Sequence, residues 1–154
     1  MIRAARADEA EALLTIQRGA CVLAFAHIFP PERYPFPDDL IRTAWNEALA
    51  DPDVEVFVGE AAGEPIGSVS IGAEFLRTLY VLPTHWRTGI GTALHDHALE
   101  RLRARGQARA KLWTLEENWN ARRYYEKRDW TLTDETRVVP FPPNPIDVQY
   151  EKEI

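Results

Sequence analysis

The chain has 154 residues, of which 45% are hydrophobic and 27% charged, with a formal net charge of −6 and a single cysteine. These values fit one globular domain over residues 1–154 and exclude an internal disulfide or a cysteine-rich zinc site, and no apolar run approaches the roughly 18 residues of a membrane span. The first residues lack the long apolar stretch of a signal peptide, so a cytoplasmic protein is expected, and net acidity disfavours non-specific nucleic-acid binding while suiting a cationic partner.

In chain order, Ile2 to Ala5 can form a short strand, and Asp8 opens a helical stretch in which Ala12, Leu13 and Ile16 recur at helix spacing. Leu40, Ile41, Ala44, Trp45 and Leu49 predict a second helix over 38–50, ended by Asp51-Pro52. Two β-rich runs, Val54 to Val58 and Ile66 to Ile71, flank Ala62-Gly63-Glu64-Pro65, a hairpin turn by composition. A third strand is expected from about Glu74 to Leu82. Ile90, Leu94, Ala98 and Leu102 then stripe a helix from about Gly89 to Arg105, with Gly106 as its stop. Lys111 to Leu115 reads as a strand, Asn118 to Lys127 as a short helix, and two closing strands flank a proline cluster from Pro140 to Pro145. The order β-α-α-β-β-β-α-β-α-β-β is mixed α/β, with a central sheet and helices on its faces.

The stretch Leu79 to Leu94 carries the most chemical information. A strand stops at Pro83, a loop carries Arg87, and Gly89 and Gly91 open a helix. Helix N-termini leave unpaired N–H groups with partial positive charge, glycine permits close backbone approach, and Arg87 adds a cation suited to phosphate oxygens. There is no nucleoside-triphosphate loop, and Leu94 stands where a dinucleotide fingerprint needs a small third residue. Alone, Gly-x-Gly is equally compatible with a tight strand-to-helix turn. A second constellation lies downstream: Asn118, Ala121 and Tyr125 share one helix face, with a small residue between an amide and a phenol.

Together the two stretches resemble the GCN5-related N-acetyltransferases, the first matching their pyrophosphate-binding strand-loop-helix and the second their Asn-x-x-Ala-x-x-(Phe/Tyr)-Tyr-x-Lys-x-Gly-(Phe/Trp) helix. The resemblance runs from about Val54 to Trp130. It implies a mixed, mostly antiparallel sheet with splayed central strands and helices on both faces, acetyl-CoA as acetyl donor, no metal, and an amine acceptor, either a small molecule or a peptide. Carried over by position, backbone groups of Tyr80 and Val81 would bond the pantetheine arm. The N–H groups of Arg87, Thr88, Gly89, Ile90, Gly91 and Thr92 would cradle the pyrophosphate, Asn118 would bind the pantetheine side, and Tyr125 would lie beside the thioester sulfur. The sequence departs from the pattern in three places. Trp86 stands where the family has Gln or Arg, Arg87 where glycine is frequent, and Asp129 where the second motif has glycine.

Acetyl transfer needs a neutral nucleophile, a donor for the developing oxyanion and a proton for the leaving thiolate. A free N–H near Val81 and the Tyr125 phenol meet the last two needs. Glu74 is the first candidate base, directly or through water, although a solvated carboxylate is the plainer identity for it. His95 and His97 lie about 200° apart around their helix and cannot clamp one metal. His27 either lines the acceptor site or packs, and Trp113, Trp119 and Trp130 read as anchors. The alternative reading is a catalytically silent acyl-CoA-binding module of the same fold. The acceptor's identity stays open, as does a homodimer.

Overall fold

The structure, a computed structural model, describes all 154 residues. Its elements are β1 (Ile2–Ala4), α1 (Ala10–Ala24), α2 (Asp38–Ala50), β2 (Val54–Ala61), β3 (Glu64–Gly72), β4 (Phe75–Val81), α3 (Ile90–Ala104), β5 (Arg109–Leu115), α4 (Trp119–Glu126), β6 (Thr131–Val138) and β7 (Ile146–Glu153), with one 3-10 turn at Pro83–His85. Seven strands form a single sheet in the order β1-β2-β3-β4-β5-β7-β6. Only β4 and β5 run parallel, and they pair at one position, Phe75 with Lys111, before diverging. The sheet is thus split above that point.

Each face of the sheet carries its own core. Leu94, Ala98, Leu99 and Leu102 of α3 pack with Val69, Ile71, Leu112, Tyr125, Val148 and Tyr150 on one side. On the other, Ala10 and Leu13 of α1 and Trp45 of α2 pack on Val56 and Val58. Between the two layers β3 is buried along nearly its whole length, which explains its unbroken run of small and apolar residues. Gly59 and Gly67 face each other across β2 and β3. A Cβ on Gly59 would stand 2.8 Å from Ile90 Cδ1 and one on Gly67 2.9 Å from Leu94 Cδ1. This glycine pair lets the start of α3 sit close on the sheet.

Local chemistry explains where the boundaries differ from expectation. Helix α1 begins at Ala10, after Asp8, because Glu9 is occupied in tying the chain entry together. Its carboxylate accepts from Arg3 Nη1 at 2.7 Å, Arg3 Nη2 at 2.9 Å and the Arg6 N–H at 2.7 Å. The Arg3 guanidinium holds this carboxyl down at about 2. The β2–β3 turn is tighter than its four-residue composition suggests: Ala62 (φ 52°) and Gly63 (φ 79°) alone make it, both left-handed as a two-residue hairpin requires, and Glu64 and Pro65 belong to β3. The expected strand from Glu74 begins one residue later, since Ala73 (φ 51°) and Glu74 form the turn. Asp129 has φ 65° at the exit of α4, the left-handed conformation for which glycine is the low-cost residue.

The histidines other than His27 serve packing or the surface. His95 accepts from Trp130 Nε1 at 3.0 Å through Nε2 and meets Asp96 Oδ1 at 2.9 Å through Nδ1, and burial holds its pKa below the usual value. His97 stacks edge-on against Phe57, and His85 meets the neighbouring Thr84 hydroxyl.

Candidate active site

A groove of about 1440 Å³ follows the split between β4 and β5 and opens on both faces of the sheet. On the α3–α4 face it is lined by Val81, Trp86, Arg87, Gly91, Asn118, Ala121, Tyr124 and Tyr125. On the α1 face it is lined by Cys21, Phe25, His27, Tyr80, Trp113, Leu115 and Asp147, with Arg137 at its rim. Tyr125 and the α3 turn, separated by a strand and a helix in sequence, border the same space.

The turn from Arg87 to Thr92 presents a set of main-chain donors suited to an anion. Arg87 has φ 63° and Gly89 φ 92°. The first α3 residue whose N–H bonds back is Ala93, to the Gly89 carbonyl at 3.0 Å, so the N–H groups from Arg87 through Thr92 have no partner in the protein. Six free donors at a helix N-terminus, joined by the exposed Arg87 guanidinium, suit a diphosphate. The glycines leave room for it. A Cβ on Gly89 would meet nothing within 4 Å, and one on Gly91 would touch only a Val81 methyl at 3.6 Å. The surrounding protein atoms leave space for a Cβ at 91, and Gly91 itself lines the groove.

Next to this turn, the end of β4 offers its backbone edge. Leu82 N–H bonds to Ile66 O at 2.8 Å, and hydrogen-bonded pairs alternate along an antiparallel ladder. Val81, opposite Gly67, therefore turns its N–H and carbonyl away from β3 and toward the split. The carbonyl is already engaged: Trp86 Nε1 donates to Val81 O at 2.7 Å. This is the role the sequence did not disclose for Trp86, which stands where the family pattern has Gln or Arg.

Across the split, α4 contributes Asn118 and Tyr125. Asn118 is the N-cap of α4, its Oδ1 accepting from the Ala121 N–H at 3.4 Å and its Nδ2 reaching Thr114 Oγ1 at 3.5 Å. One amide hydrogen is left for the groove. Tyr125 is buried among His95, Tyr124, Trp130 and Tyr150, which fix its ring, while its hydroxyl has no protein partner. Burial pushes the phenol above its usual value, so it is protonated at neutral pH. A tie between the helices sets the spacing of the two motifs: Tyr124 Oη meets Thr92 Oγ1 at 3.2 Å and Arg128 Nη2 donates to the same hydroxyl at 3.0 Å. The Arg128 guanidinium lies 3.6 Å from the centre of the Tyr124 ring. Thr92 thus uses its side chain for this tie and has only its N–H free.

Glu74 is not brought to this site. It lies in the β3–β4 turn, its Oε1 stands 3.6 Å from Lys111 Nζ, and it does not line the groove. The side chain of Tyr80, whose backbone alone was singled out in sequence, lies on the α1 face. Burial, and then the neighbouring Cys21, Tyr125 and Asp147, hold its phenol well above the usual value. Burial likewise pushes the Cys21 thiol up to about 12, which leaves it neutral. His27 Nε2 meets the Glu117 carbonyl at 2.8 Å and bridges the loop after α1 to the turn before α4. Arg137 and Asp147 escaped the sequence reading altogether. They sit on strands flanking the proline loop, and no local pattern marks them.

The acetyltransferase (GNAT) family model matches residues 20–130. A Mycobacterium tuberculosis protein described as a probable N-acetyltransferase is 30% identical over 108 residues, covering 66% of this chain and 55% of that protein. The chain spans little more than half the length of the curated relatives it matches. Among solved structures, a GCN5-related N-acetyltransferase from Rhodopseudomonas palustris superposes with a TM-score of 0.81 at 18% identity, over 100% of this chain and 95% of that one. The PaiA N-acetyltransferase from Thermoplasma acidophilum, solved in complex with coenzyme A, gives 0.76 at 18% identity, over 100% and 98%. At such identities these likenesses speak for the fold, a mixed α/β sheet with helices on both faces. No helix is long and apolar enough to cross a membrane. By the extent of the family match, and by the split sheet and free α3 turn that accompany it, this chain belongs to the GNAT acetyltransferase family.

Proposed function

We propose that this protein is an acetyl-CoA-dependent N-acetyltransferase acting on a primary amine by direct attack in a ternary complex. The observation that carries the reading is that the turn with six unpaired N–H groups at the start of α3 meets, through Arg87 and Gly91, the same groove that Tyr125 lines, at the point where β4 and β5 part.

Acetyl-CoA, when bound, supplies a thioester carbonyl as the electrophile. The N–H groups from Arg87 through Thr92, with the Arg87 guanidinium, hold the diphosphate. Asn118 would hold the pantetheine arm, and the free Val81 N–H is the one donor of the β4 edge, available to the arm or to a developing oxyanion. The N–H and carbonyl of Tyr80, opposite Ser68, turn into the β3 ladder, so the contact expected from its backbone is not offered. Tyr125 holds a proton at its hydroxyl for the departing sulfur, a role its raised pKa and lack of a protein partner support. The groove's second opening, on the α1 face, is the entry for the amine. This arrangement keeps donor and acceptor on opposite faces of the sheet and lets them meet only in the split.

Titration with acetyl-CoA tests the binding half of this reading. At about 100 times the dissociation constant a single site raises stability by roughly 2.7 kcal/mol. Absence of a thermal shift would remove the reading. Thiol release with a panel of amines tests the chemical half. A protein that binds acetyl-CoA tightly yet releases no thiol with any amine would be a silent acyl-CoA-binding module instead.

A further inference from the structure

The α1-face half of the groove contains a carboxylate that the reading above leaves unused. Asp147 lies at the start of β7, directly opposite Leu115 of β5 and Arg137 of β6. Counting up from the single β4–β5 pair, Phe75 with Lys111, Leu79 comes level with Leu115. Asp147 therefore stands beside the split at the height of Leu79 and Tyr80.

The Asp147 side chain is held firmly and only half satisfied. The residue is 8% exposed. Its Oδ2 accepts from Arg137 Nε at 3.0 Å, and the Arg137 guanidinium is itself braced 4.3 Å from the centre of the Trp113 ring. Its Oδ1 accepts from no donor in the protein. With Oδ2 committed to Arg137, Oδ1 is the carboxylate oxygen left open to the groove, where a cationic donor can make a charge-assisted hydrogen bond. The other walls here are Cys21, Phe25, Tyr80, Trp113 and Leu115, none of them a cation or a carboxylate, together with His27, whose Nε2 meets the Glu117 carbonyl, and Arg137, whose guanidinium is paired with Asp147. The acidic residues Asp51 and Asp53 border the groove at its far end, by the start of β2, and Glu74 is paired with Lys111. Asp147 is the carboxylate beside the reacting position.

We propose that Asp147 Oδ1 receives the ammonium of the acceptor, and hence that the acceptor is a cationic primary amine carried on an apolar or aromatic body that packs against Phe25, Trp113 and Leu115. The inference rests on the acetyltransferase reading and adds a substrate class and an anchoring residue to it. Arg137 is a positioning residue, because it fixes Oδ2 and so aims Oδ1. An alkyl ammonium fits the single free oxygen, and an aromatic body fits walls that offer area and few donors. Before reaction the ammonium gives one proton to solvent water, and the neutral nitrogen then bonds to the thioester carbon as the carbon–sulfur bond breaks. The sulfur leaves with the Tyr125 proton, and the proton lost from the acylated nitrogen restores that phenol.

Phenethylamine serves as the probe, with phenylalanine as the same body bearing an added carboxylate. Binding of each to the CoA-loaded protein is measured by calorimetry, and KM and kcat for each are measured at saturating acetyl-CoA. Phenethylamine should bind, and Asp147→Asn should raise its Kd and KM about tenfold or more, the expected effect of losing a charge-assisted hydrogen bond, while kcat changes only a few-fold. Asp147→Glu should recover part of the loss, and the affinity for acetyl-CoA should be unchanged in both variants. Thermal unfolding of each variant identifies a folding defect, in which case the comparison of phenethylamine with phenylalanine on the unaltered protein decides. Preference for phenylalanine would overturn the proposal, since the free Arg137 nitrogens would then be recognising a carboxylate. An unchanged Kd and KM in Asp147→Asn, or no amine binding to the CoA-loaded protein, would overturn it too. Failure to bind acetyl-CoA at all would instead remove the underlying acetyltransferase reading.

Discussion

The two openings of the groove are made from different parts of the polypeptide. On the α3–α4 face the receptor is main chain: six free N–H groups, two glycines that leave space, and the outward-turned edge of Val81. On the α1 face it is side chain: Cys21 from α1, Tyr80 from β4, Trp113 from β5 and Asp147 from β7. Main-chain recognition suits a partner that never changes, because it needs only a backbone conformation and tolerates most side chains. Side-chain recognition suits a partner that differs from one protein to another, because each wall can be replaced without disturbing the fold.

That contrast can be broken or sharpened by substitution. The largest effect is expected where the openings meet: Tyr125→Phe should lower kcat by about 10²- to 10⁴-fold, the usual worth of a positioned acid, and leave acetyl-CoA affinity nearly unchanged. Thiol release under saturating substrates reads it, and an unaltered kcat would mean that the proton comes from elsewhere. The same phenol makes a statement about pH. Because burial raises its pKa above the usual value near 10, it keeps its proton through alkaline conditions, and kcat should lose nothing to its ionisation below about pH 10. An inflection below pH 9 that disappears in Tyr125→Phe would contradict this.

Next in size is Gly91→Leu on the main-chain side. A Cβ there meets the protein only at ordinary contact distance, so a side chain aimed into the groove should leave the melting temperature nearly unchanged while acetyl-CoA binds about tenfold or more weakly, a loss of at least about 1.4 kcal/mol. Equal loss of stability and affinity would mean that the glycine serves the protein rather than the ligand. A smaller effect, of opposite sign, belongs to Trp86. Its indole occupies the Val81 carbonyl, so Trp86→Phe removes the competing donor and should tighten acetyl-CoA binding by a few-fold, in line with the roughly 0.5–1.5 kcal/mol net worth of a hydrogen bond. Weaker binding would show instead that Trp86 itself holds the ligand. The smallest change is Asp129→Gly, at a left-handed position outside both openings. It should stabilise the fold by about 0.5–1 kcal/mol, read as a rise of roughly 1–4 °C in melting temperature, with kinetics unaltered.

Legibility in the sequence follows the same division. Helix α2 is found over 38–50 because Trp45 and its neighbours repeat at one period and the flanking prolines leave no choice of ends. The turn with free N–H groups was legible as Arg87-Thr88-Gly89 after a strand, since a contiguous backbone feature leaves a contiguous signature. Glu74 was expected at the start of the strand leading to the Arg87 turn and lies instead in the turn before that strand, paired with Lys111, because the left-handed Ala73 closes the hairpin one residue later than the pattern suggests. Trp86 read as a lost guanidinium, whereas its bond to Val81 depends on the fold of the 3-10 turn between them.

What the sequence by itself determined is the alternation of elements, the glycine-opened helix, and the Asn118-Ala121-Tyr125 face. Each is a local matter of period, propensity and backbone freedom within a few residues. Only the tertiary structure decided that β4 and β5 part after Phe75, that Gly59 and Gly67 admit α3, and that Asp147 reaches the level of Tyr80 with one oxygen free. Those facts depend on register and packing between segments far apart in the chain, and pairing across a sheet is written in no single stretch of it.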